Sequence, residues 1–409
     1  MENQTDAIII GGGVAGLSCA RTLVDAGKTV HLYEADDAVG GRIRTDLVDG
    51  FRLDRGFQVL LTAYPEAKRL LDYSALRLRP FYPGALIRFQ NKWHRVADPL
   101  RQPLSGIASL FTPIGSLGDK LRMGRLRVLG TQRYQFGPDQ DTLSALRAEG
   151  FSHSMIERFL RPFLGGVFLE NELETTARKF ASVWRYFSAG DTAVPALGMG
   201  EIPRQLAASL PEPTLRLGTP VAALELGGIR LENGERPRAR AVVVATDAAQ
   251  AARLLETKGD PPQFNSVRCL YFSADSAPIP DPLLILNGDG AGPINNLSVM
   301  SAVSPDYAPE GKALISATLL DSGGRDQAAL EQQTRTQLAS WFGAQVNDWR
   351  LLRNYHIPNA TPHQTRPPSE HPRVRPGVYR CGDHCGLASL DSALVSGRAA
   401  AESLLSDPI

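Results

Sequence analysis

The sequence lacks most of the features that set specialised proteins apart from an ordinary globular chain. It has only four cysteines in 409 residues, which excludes a disulfide-rich scaffold. Its 44 cations nearly balance its 43 carboxylates, so bulk charge gives no basis for nucleic-acid binding. No apolar run approaches the ~20 residues that a membrane-spanning helix needs. We therefore expect a globular protein without a nucleic-acid partner.

The few cysteines also argue against a metal centre. Cys381 and Cys385 are close together, but no second cysteine or histidine pair stands at ligand spacing. We therefore expect no metal site.

The start of the chain carries no targeting pattern. An apolar strand begins within the first ten residues, and no signal-peptide pattern precedes it. This predicts a cytoplasmic protein. The apolar segment 106–114, followed by four cations between residues 120 and 127, leaves a peripheral membrane contact as a second interpretation. The alternative interpretation is an ordinary helix of a substrate domain.

A nucleotide-binding motif is present at the start of the chain. The apolar run 7–10 reads as a buried strand, and the residues after the glycines have helical spacing. The first glycine of such a motif permits a tight turn, the second lets a pyrophosphate approach the backbone, and the third lets helix and strand pack closely. The predicted cofactor-binding residues here are Gly11, Gly13, Val14, Ala15 and Gly16.

An acid follows the second strand at the position where a ribose is bound. The apolar segment 29–33 ends at Glu34, whose carboxylate can accept hydrogen bonds from an adenosine ribose. The chain has this one dinucleotide motif and no second copy, so we expect no separate nicotinamide domain. Electrons taken from a substrate would then pass to a diffusible acceptor, oxygen or a quinone.

Three further segments recur in a characteristic order. A Gly-Gly-Arg segment holds Gly41 and Arg42, and a Gly-Phe pair follows at Gly56 and Phe57. Close to the C-terminus, a strand leads into a Gly-Asp turn and a final helix. The residues of interest there are Gly382, Asp383, Ser389 and Leu390.

Together these segments resemble the flavin-dependent amine oxidoreductase superfamily, which includes monoamine oxidases, protoporphyrinogen oxidases and plant-type phytoene desaturases. The resemblance implies FAD as the cofactor, with Arg42 near the pyrophosphate and Asp383 near the ribityl or pyrophosphate region. It also implies that Val221 contacts the adenine and that Ser389 caps the last helix. Some relatives attach the flavin to a cysteine that residues 355–378 lack here, so we expect non-covalent FAD.

The same resemblance predicts an α/β fold with a Rossmann-like FAD-binding domain and an inserted substrate domain of mixed sheet and helices. The FAD-binding domain is predicted in three pieces, at 1–75, 195–256 and 365–409. The substrate-binding domain is predicted at 76–194 and 257–364, with a helical lid at about 98–190.

The sequence offers no clear acid–base constellation. Arg55 and His384 are the two candidates, because both fall in segments expected near the flavin; a hydrogen-bonded structural role is the alternative for His384. Leu387 and Leu390 stand where monoamine oxidases carry an aromatic pair. An apolar wall there favours a hydrocarbon-like substrate over a cationic amine.

Three functions remain open on this evidence. The first is an FAD-dependent oxidoreductase, similar to a polyene desaturase or isomerase. It would remove a hydride from a small lipophilic substrate and reduce a quinone or oxygen. The second is an amine, amino-acid or protoporphyrinogen-type oxidase. The third is a flavin-binding protein without catalysis.

Overall fold

The computed structural model describes residues 5–109, 111–320, 326–368 and 371–407. Residues 1–4 and 408–409 of the predicted FAD-binding segments, and Leu110 of the apolar segment 106–114, lie outside the described residues.

The described part of the chain forms both strands and helices, with a run of helices in its first half. The strands are β1 (Thr5–Ile10), β2 (Val30–Tyr33), β3 (Thr45–Val48), β4 (Phe51–Asp54), β5 (Leu60–Leu61), β6 (Arg79–Pro80), β7 (Gly84–Phe89), β8 (Lys92–Ala97), β9 (Thr192–Val194), β10 (Leu215–Arg216), β11 (Val221–Glu225), β12 (Gly228–Leu231), β13 (Ala239–Val244), β14 (Phe264–Ala274), β15 (Leu284–Asn287), β16 (Ile294–Val299), β17 (Ala313–Leu320), β18 (Arg350–Pro362), β19 (Arg373–Arg375) and β20 (Val378–Arg380). The helices are α1 (Val14–Asp25), α2 (Pro65–Leu70), α3 (Tyr73–Leu76), α4 (Pro103–Ser109), α5 (Leu117–Leu129), α6 (Gln132–Phe136), α7 (Thr142–Ala148), α8 (His153–Met155), α9 (Arg161–Phe168), α10 (Ala177–Ala189), α11 (Glu201–Ala208), α12 (Ala248–Leu255), α13 (Met300–Val303), α14 (Gln327–Phe342) and α15 (Leu390–Ser406). A π-helical turn, Ile156–Leu160, joins α8 to α9.

The first sheet carries the nucleotide motif. Its strands lie in the order β10-β2-β1-β13-β20-β19, and the first five run parallel. The central strand β1 is buried at Ile8 and Ile9, which explains its unbroken apolar sequence. The last helix, α15, packs directly on α1, where a Cβ on Gly397 would come within 2.1 Å of the Ala15 carbonyl oxygen. The two ends of the chain therefore meet beside β1.

The second sheet is mainly antiparallel, with the order β18-β14-β17-β16-β15-β7-β8. Its long strands between residues 264 and 320 lie in the segment 257–364, which the sequence analysis assigns to a substrate domain of mixed sheet and helices. The hairpin of β7 and β8 has no counterpart among the sequence predictions, which specify only a helical lid at about 98–190 within the segment 76–194. Its turn residues, Gln90 and Asn91, have positive φ angles of 50° and 59°, which suit a tight hairpin without the usual glycine signal.

Helices α4 to α10 occupy the stretch for which the sequence predicts a helical lid. Their core is aromatic, with Phe168 and Phe180 fully buried. We propose that the two sheets, with these helices on the second, correspond to the two predicted domains. No described helix is long and apolar enough to cross a bilayer.

A buried carboxylate ties the β3–β4 hairpin to the segments that precede α11 and β17. Asp54, at the end of β4, is 1 % exposed and accepts hydrogen bonds from the Thr45 hydroxyl at 2.5 Å and the Met199 N–H at 2.9 Å. The Tyr307 hydroxyl, from a segment next to β17, donates to its other oxygen at 2.8 Å. Burial raises the pKa of Asp54 to about 6, although these three donors act in the opposite direction.

Replacing this carboxylate should weaken the whole structure. Asp54→Ala leaves three buried donors without an acceptor, so we expect the free energy of unfolding to fall by about 3 kcal/mol, and by about 1 kcal/mol for Tyr307→Phe. Urea unfolding followed by circular dichroism measures both. Asp275→Ala is the matched control, because this carboxylate pairs with Lys312 at the surface and its removal should leave the midpoint unchanged. Equal midpoints for Asp54→Ala and the control would contradict this role.

Candidate FAD site and substrate cavity

The turn after β1 is shaped by two glycines that the protein itself crowds. Gly11 has φ +108°, and a Cβ there would lie 2.8 Å from the Ala245 carbonyl oxygen. A Cβ on Gly16 would lie 2.0 Å from the Gly11 carbonyl oxygen. Neither position can hold a side chain without moving backbone. The turn is therefore set by close packing of α1 against β1 and β13.

Gly13 differs from both neighbours, because a Cβ there would meet no atom within 4 Å. It lies at the N-terminus of α1 with ordinary backbone angles, φ −69° and ψ 172°. The space in front of it is bounded by Gly40, whose N–H donates to the Gly12 carbonyl at 2.9 Å. An open face of backbone at a helix N-terminus suits a pyrophosphate, so the residues present here fit the pyrophosphate of FAD.

Glu34 is 9 % exposed and lies at the end of β2 as the sequence predicts. Its carboxylate accepts the Gly12 N–H at 2.6 Å and the Asp36 N–H at 2.9 Å. The side chain therefore holds the glycine turn in place by accepting the Gly12 N–H. It also lines the edge of the cavity where the ribose contact is predicted.

Arg42 and Asp383 bind one another across the site. The Arg42 guanidinium lies 2.7 Å from the Asp383 carboxylate and also donates to the Ala360 carbonyl at 3.0 Å. Burial disfavours both charges, but the attraction and the hydrogen bond between the two groups outweigh this effect. The pKa of Arg42 is therefore raised and the pKa of Asp383 is lowered. The pair joins the Gly-Gly-Arg loop to the C-terminal turn. The sequence analysis assigns Arg42 and Asp383 separate contacts with FAD and does not predict that they bind each other.

The structure brings nearly all predicted cofactor residues to one cavity of about 1180 Å³. The predicted residues that line it are Gly11, Gly13, Val14, Ala15, Glu34, Gly41, Arg42, Gly56, Phe57, Val221, Gly382, Asp383, Ser389 and Leu390. Gly16 lies behind the turn, where it lets α1 approach β1. Ser389 caps α15, as predicted, by accepting the Ser392 N–H at 3.1 Å.

The two catalytic candidates lie in different places. Arg55 lines the cavity and is paired with Asp46 at 3.1 Å, beside a smaller groove that also includes Arg353 and Tyr355. His384 follows Asp383 in a short 3-10 helix, and it is not among the described residues that line the cavity. A catalytic role for either residue stays a prediction.

Beyond the cofactor end, the cavity continues into an aromatic lobe between the lid helices and the second sheet. Phe159 stacks on Phe163 with ring centroids 5.7 Å apart, and Phe163 meets Phe187 edge to face at 5.2 Å. Leu284 and Leu286, on β15, form the opposite wall. We call this part of the cavity the substrate lobe.

The charges of the substrate lobe are mostly positive. The cations that line it are Arg101, Lys120 and Arg127. Among the described lid and sheet residues of the lining, Asp98 is the one carboxylate. That carboxylate is already paired, at 3.3 Å from Arg127 and 3.7 Å from Arg101. Two lining residues, Tyr82 and Trp184, also carry a buried donor with no hydrogen-bond partner among the described residues. The lobe therefore suits an apolar ligand with acceptor or anionic groups.

Sequence reasoning missed a buried lysine near the Arg42–Asp383 pair. Lys179, on α10, is 3 % exposed, and its ammonium lies 5.6 Å from the centre of the Phe168 ring. Burial lowers the pKa of Lys179 to about 8, against the opposing charges of Asp383 and Glu170. In the sequence it is one more cation on an amphipathic helix, so no local signal could have identified it.

Comparison with known proteins decides the family. The family model described as flavin containing amine oxidoreductase matches residues 14–405. The chain belongs to this family. Its cofactor is accordingly FAD and its class is oxidoreductase, as the motifs predict.

This chain is similar in sequence to several oxidases. Coproporphyrinogen III oxidase of Mycobacterium bovis is 28 % identical over 332 residues, which cover 75 % of this chain and 71 % of that protein. Protoporphyrinogen oxidase 2 of Arabidopsis thaliana is 27 % identical over 176 residues, 40 % of this chain and 34 % of that protein. A match to the Mycobacterium leprae coproporphyrinogen III oxidase likewise spans only 36 % of that protein, about a third of its length.

Several solved structures share the fold over nearly the whole chain. A putative protoporphyrinogen oxidase from Exiguobacterium has a TM-score of 0.72 at 19 % identity, covering 98 % of this chain and 99 % of that one. A putrescine oxidase has a TM-score of 0.73 at 16 % identity, covering 99 % of each chain. At this identity the likeness establishes the fold alone. The expected α/β class with a Rossmann-like FAD-binding domain is confirmed.

A single methyl group at Gly13 should separate cofactor binding from folding. Gly13→Ala is allowed by its backbone angles and meets no protein atom, so the fold should be retained. The added Cβ lies in the space assigned to the pyrophosphate, and we expect the Kd for FAD to rise at least about tenfold. Titration of the FAD-free protein, followed by quenching of flavin fluorescence, measures this.

The control is Gly124→Ala, since a Cβ at that helical position also meets no atom within 4 Å. It should leave FAD affinity unchanged. Unaltered FAD affinity in the Gly13→Ala protein would place the pyrophosphate elsewhere.

The buried lysine should give stability a recognisable pH dependence. Between pH 8 and 10.5 the folded chain has lost the Lys179 proton while the unfolded chain keeps it, so stability rises with pH in this window. Relative to Lys179→Met, the free energy of unfolding of the unmodified protein should increase by roughly 3 kcal/mol across it. Urea unfolding at several pH values measures the difference, and a gap that does not change with pH would refute the low pKa.

Proposed function

We propose that this protein is an FAD-dependent oxidase of a bulky apolar substrate that carries carboxylates, of the porphyrinogen type. The glycine turn at Gly13, together with Glu34 and Asp383, would hold FAD, which would supply hydride acceptance from a substrate carbon, with oxygen or a quinone as the final electron acceptor. The observation that carries the proposal is the substrate lobe: aromatic walls next to the cofactor end, with three cations and one already paired carboxylate.

The protein's own contribution is binding and orientation. The stacked rings of Phe159 and Phe163 provide a flat apolar wall for a large ring system or chain. Lys120 and Arg127 lie on α5, at one side of the lobe. There they can bind the carboxylates of a substrate and keep them away from the apolar walls. Apolar walls also exclude water from the space beside the cofactor, which protects a hydride transfer from side reactions.

The relatives support the same substrate class. Proteins named coproporphyrinogen III oxidase and protoporphyrinogen oxidase match this chain. A match to a coproporphyrinogen III oxidase covers 75 % of this chain. A putrescine oxidase also matches, over 69 residues or 17 % of this chain. A cationic amine would meet three cations in the substrate lobe, so we do not favour that activity.

A neutral polyene is the second candidate, as the sequence suggests. The observation in its favour is a group of exposed apolar side chains beside the mouth of the lobe, among them Leu100 and Val128. The apolar walls suit either substrate, whereas the cations favour the one with carboxylates.

Reduction of the flavin without oxygen identifies the substrate class. The FAD-loaded protein is mixed anaerobically with coproporphyrinogen III, phytoene or putrescine, and the visible flavin absorbance is followed. We expect bleaching by the porphyrinogen and none by putrescine. Bleaching by phytoene alone would establish the second candidate, and unaltered absorbance with all three would overturn both.

The lobe cations should act on binding of the carboxylates. In Lys120→Met the side chain keeps its length but loses its charge, so we expect the KM for the porphyrinogen to rise about fivefold with little change in kcat. Steady-state oxygen consumption measures both constants. The tetramethyl ester of the same substrate is the matched control. Because it has no carboxylates, its KM should be the same in Lys120→Met as in the unmodified protein. A KM that rises as much for the ester would contradict the charge interaction.

A further inference from the structure

The smaller groove beside Arg55 is a second ligand-sized space next to the cofactor end of the cavity. Its volume is about 800 Å³, and it lies between the β3–β4 hairpin and β18. None of the described residues of the lid, at 98–190, lines it. A molecule could therefore reach this groove without passing through the substrate lobe.

A thin wall separates the smaller groove from the cofactor end of the cavity. The residues that line both spaces are Gly41, Arg42, Arg55, Ile357 and Pro358. At Gly41 the wall has no side chain, and a Cβ there would meet the Gly13 Cα at 3.8 Å and no other atom within 4 Å. A molecule in the groove would therefore lie one layer of residues away from the cofactor.

The inner wall of the smaller groove is fixed by a carboxylate. Asp46, on β3, accepts hydrogen bonds from Arg55 at 3.1 Å and from the Tyr355 hydroxyl at 2.7 Å. The Tyr355 ring also packs edge to face on the buried Tyr271, with the ring centroids 6.0 Å apart. The Tyr355 side chain is thus held in place and offers an aromatic surface to a ligand.

One cation of the smaller groove remains available to a ligand. Arg42 is paired with Asp383 and Arg55 with Asp46, so these charges are already balanced. Arg353, two residues before Tyr355 on the same strand, lines the groove with an exposed side chain. Its guanidinium has no ion pair or hydrogen bond among the described residues, so its donors are open to an acceptor oxygen.

An apolar side chain stands at the hairpin side of the smaller groove. Leu47, on β3, is 70 % exposed and lines the groove. An aromatic wall, an exposed leucine and the open donors of Arg353 together suit a flat apolar ring that carries acceptor oxygens. A quinone has this chemistry. Oxygen, in contrast, has no ring to pack against these walls.

We propose that the smaller groove binds the electron acceptor, a quinone, at a site separate from the substrate lobe. The quinone ring packs on Tyr355 and Leu47, and Arg353 donates a hydrogen bond to a quinone oxygen. The quinone takes two electrons from the reduced cofactor and two protons, one from the cofactor and one from the solvent, and leaves as a hydroquinone. The inference rests on the part of the proposed function in which a diffusible acceptor takes the electrons, whichever substrate supplied them.

Reoxidation of the reduced protein tests this site without an organic substrate. The FAD-loaded protein is reduced by light in the presence of EDTA, without oxygen, and is then mixed with naphthoquinone while the flavin absorbance is followed. We expect a rate that saturates as the naphthoquinone concentration rises, because the acceptor binds before it reacts. With oxygen in its place, we expect a rate proportional to the oxygen concentration.

Substitutions at the rim assign the site. Arg353→Met keeps an exposed side chain but removes its donors, so the half-saturating naphthoquinone concentration should rise about tenfold. Leu47→Ser should raise it about threefold through lost apolar contact. Arg350→Met is the matched control, because this exposed arginine on the same strand pairs with Asp49 and does not line the groove. The control should behave as the unmodified protein does, and the rate with oxygen should be equal in all four proteins.

Binding can also be measured without electron transfer. Equilibrium dialysis of anthraquinone sulfonate against the oxidised, FAD-loaded protein gives a Kd for the bound ring. We expect this Kd to be about tenfold higher for Arg353→Met than for Arg350→Met.

Three outcomes would overturn the proposal. The first is an equal half-saturating concentration, or an equal Kd, for Arg353→Met and Arg350→Met. The second is a reoxidation rate that stays proportional to the naphthoquinone concentration throughout. The third is weaker quinone binding by Lys120→Met and not by Arg353→Met, which would place the acceptor in the substrate lobe. Since reduction by light needs no porphyrinogen, failure of this site and failure of the proposed function are distinguishable.

Discussion

The close approach of α1 to the turn after β1 is the constraint on which the rest of the structure depends. Gly16 lets the helix backbone lie against the Gly11 carbonyl, and Gly11 in turn lies against Ala245 at the end of β13. Because α15 packs on α1 through Gly397, the C-terminal segment with Asp383 is brought to the same place. One set of backbone contacts thus gathers residues from both ends of the chain around the open face of Gly13.

Local motifs made this half of the site predictable. The glycine turn, Glu34 and the Gly-Asp turn each need particular residue types for a local reason: a positive φ, a close backbone approach or a carboxylate at a strand end. Such requirements are visible in a single sequence. They gave the α/β fold and the residues lining the cofactor end of the cavity, although the sequence did not reveal that Arg42 and Asp383 bind each other.

The substrate half could not be predicted in the same way. The spacing of Phe159, Phe163 and Phe187 in the sequence does not indicate a cavity wall, and only packing between α9, α10 and β15 brings them to the substrate lobe. The hairpin of β7 and β8 lacked a glycine turn, and Lys179 carries no local sign of its burial. On α5, only the structure distinguishes the exposed Leu121 from the buried Leu126. Long-range packing decides each of these features.

The central claim is that the aromatic lobe beside the cofactor is where a bulky, carboxylate-bearing substrate binds. A crystal structure of the FAD-loaded protein with coproporphyrin III, the fully oxidised form of the proposed type of substrate, tests it most directly. We expect the porphyrin ring between the walls formed by Phe163 and Leu286, with its carboxylates toward Lys120 and Arg127. A porphyrin bound beside Arg55 and Arg353 in the smaller groove, or an empty lobe at saturating porphyrin, would contradict it.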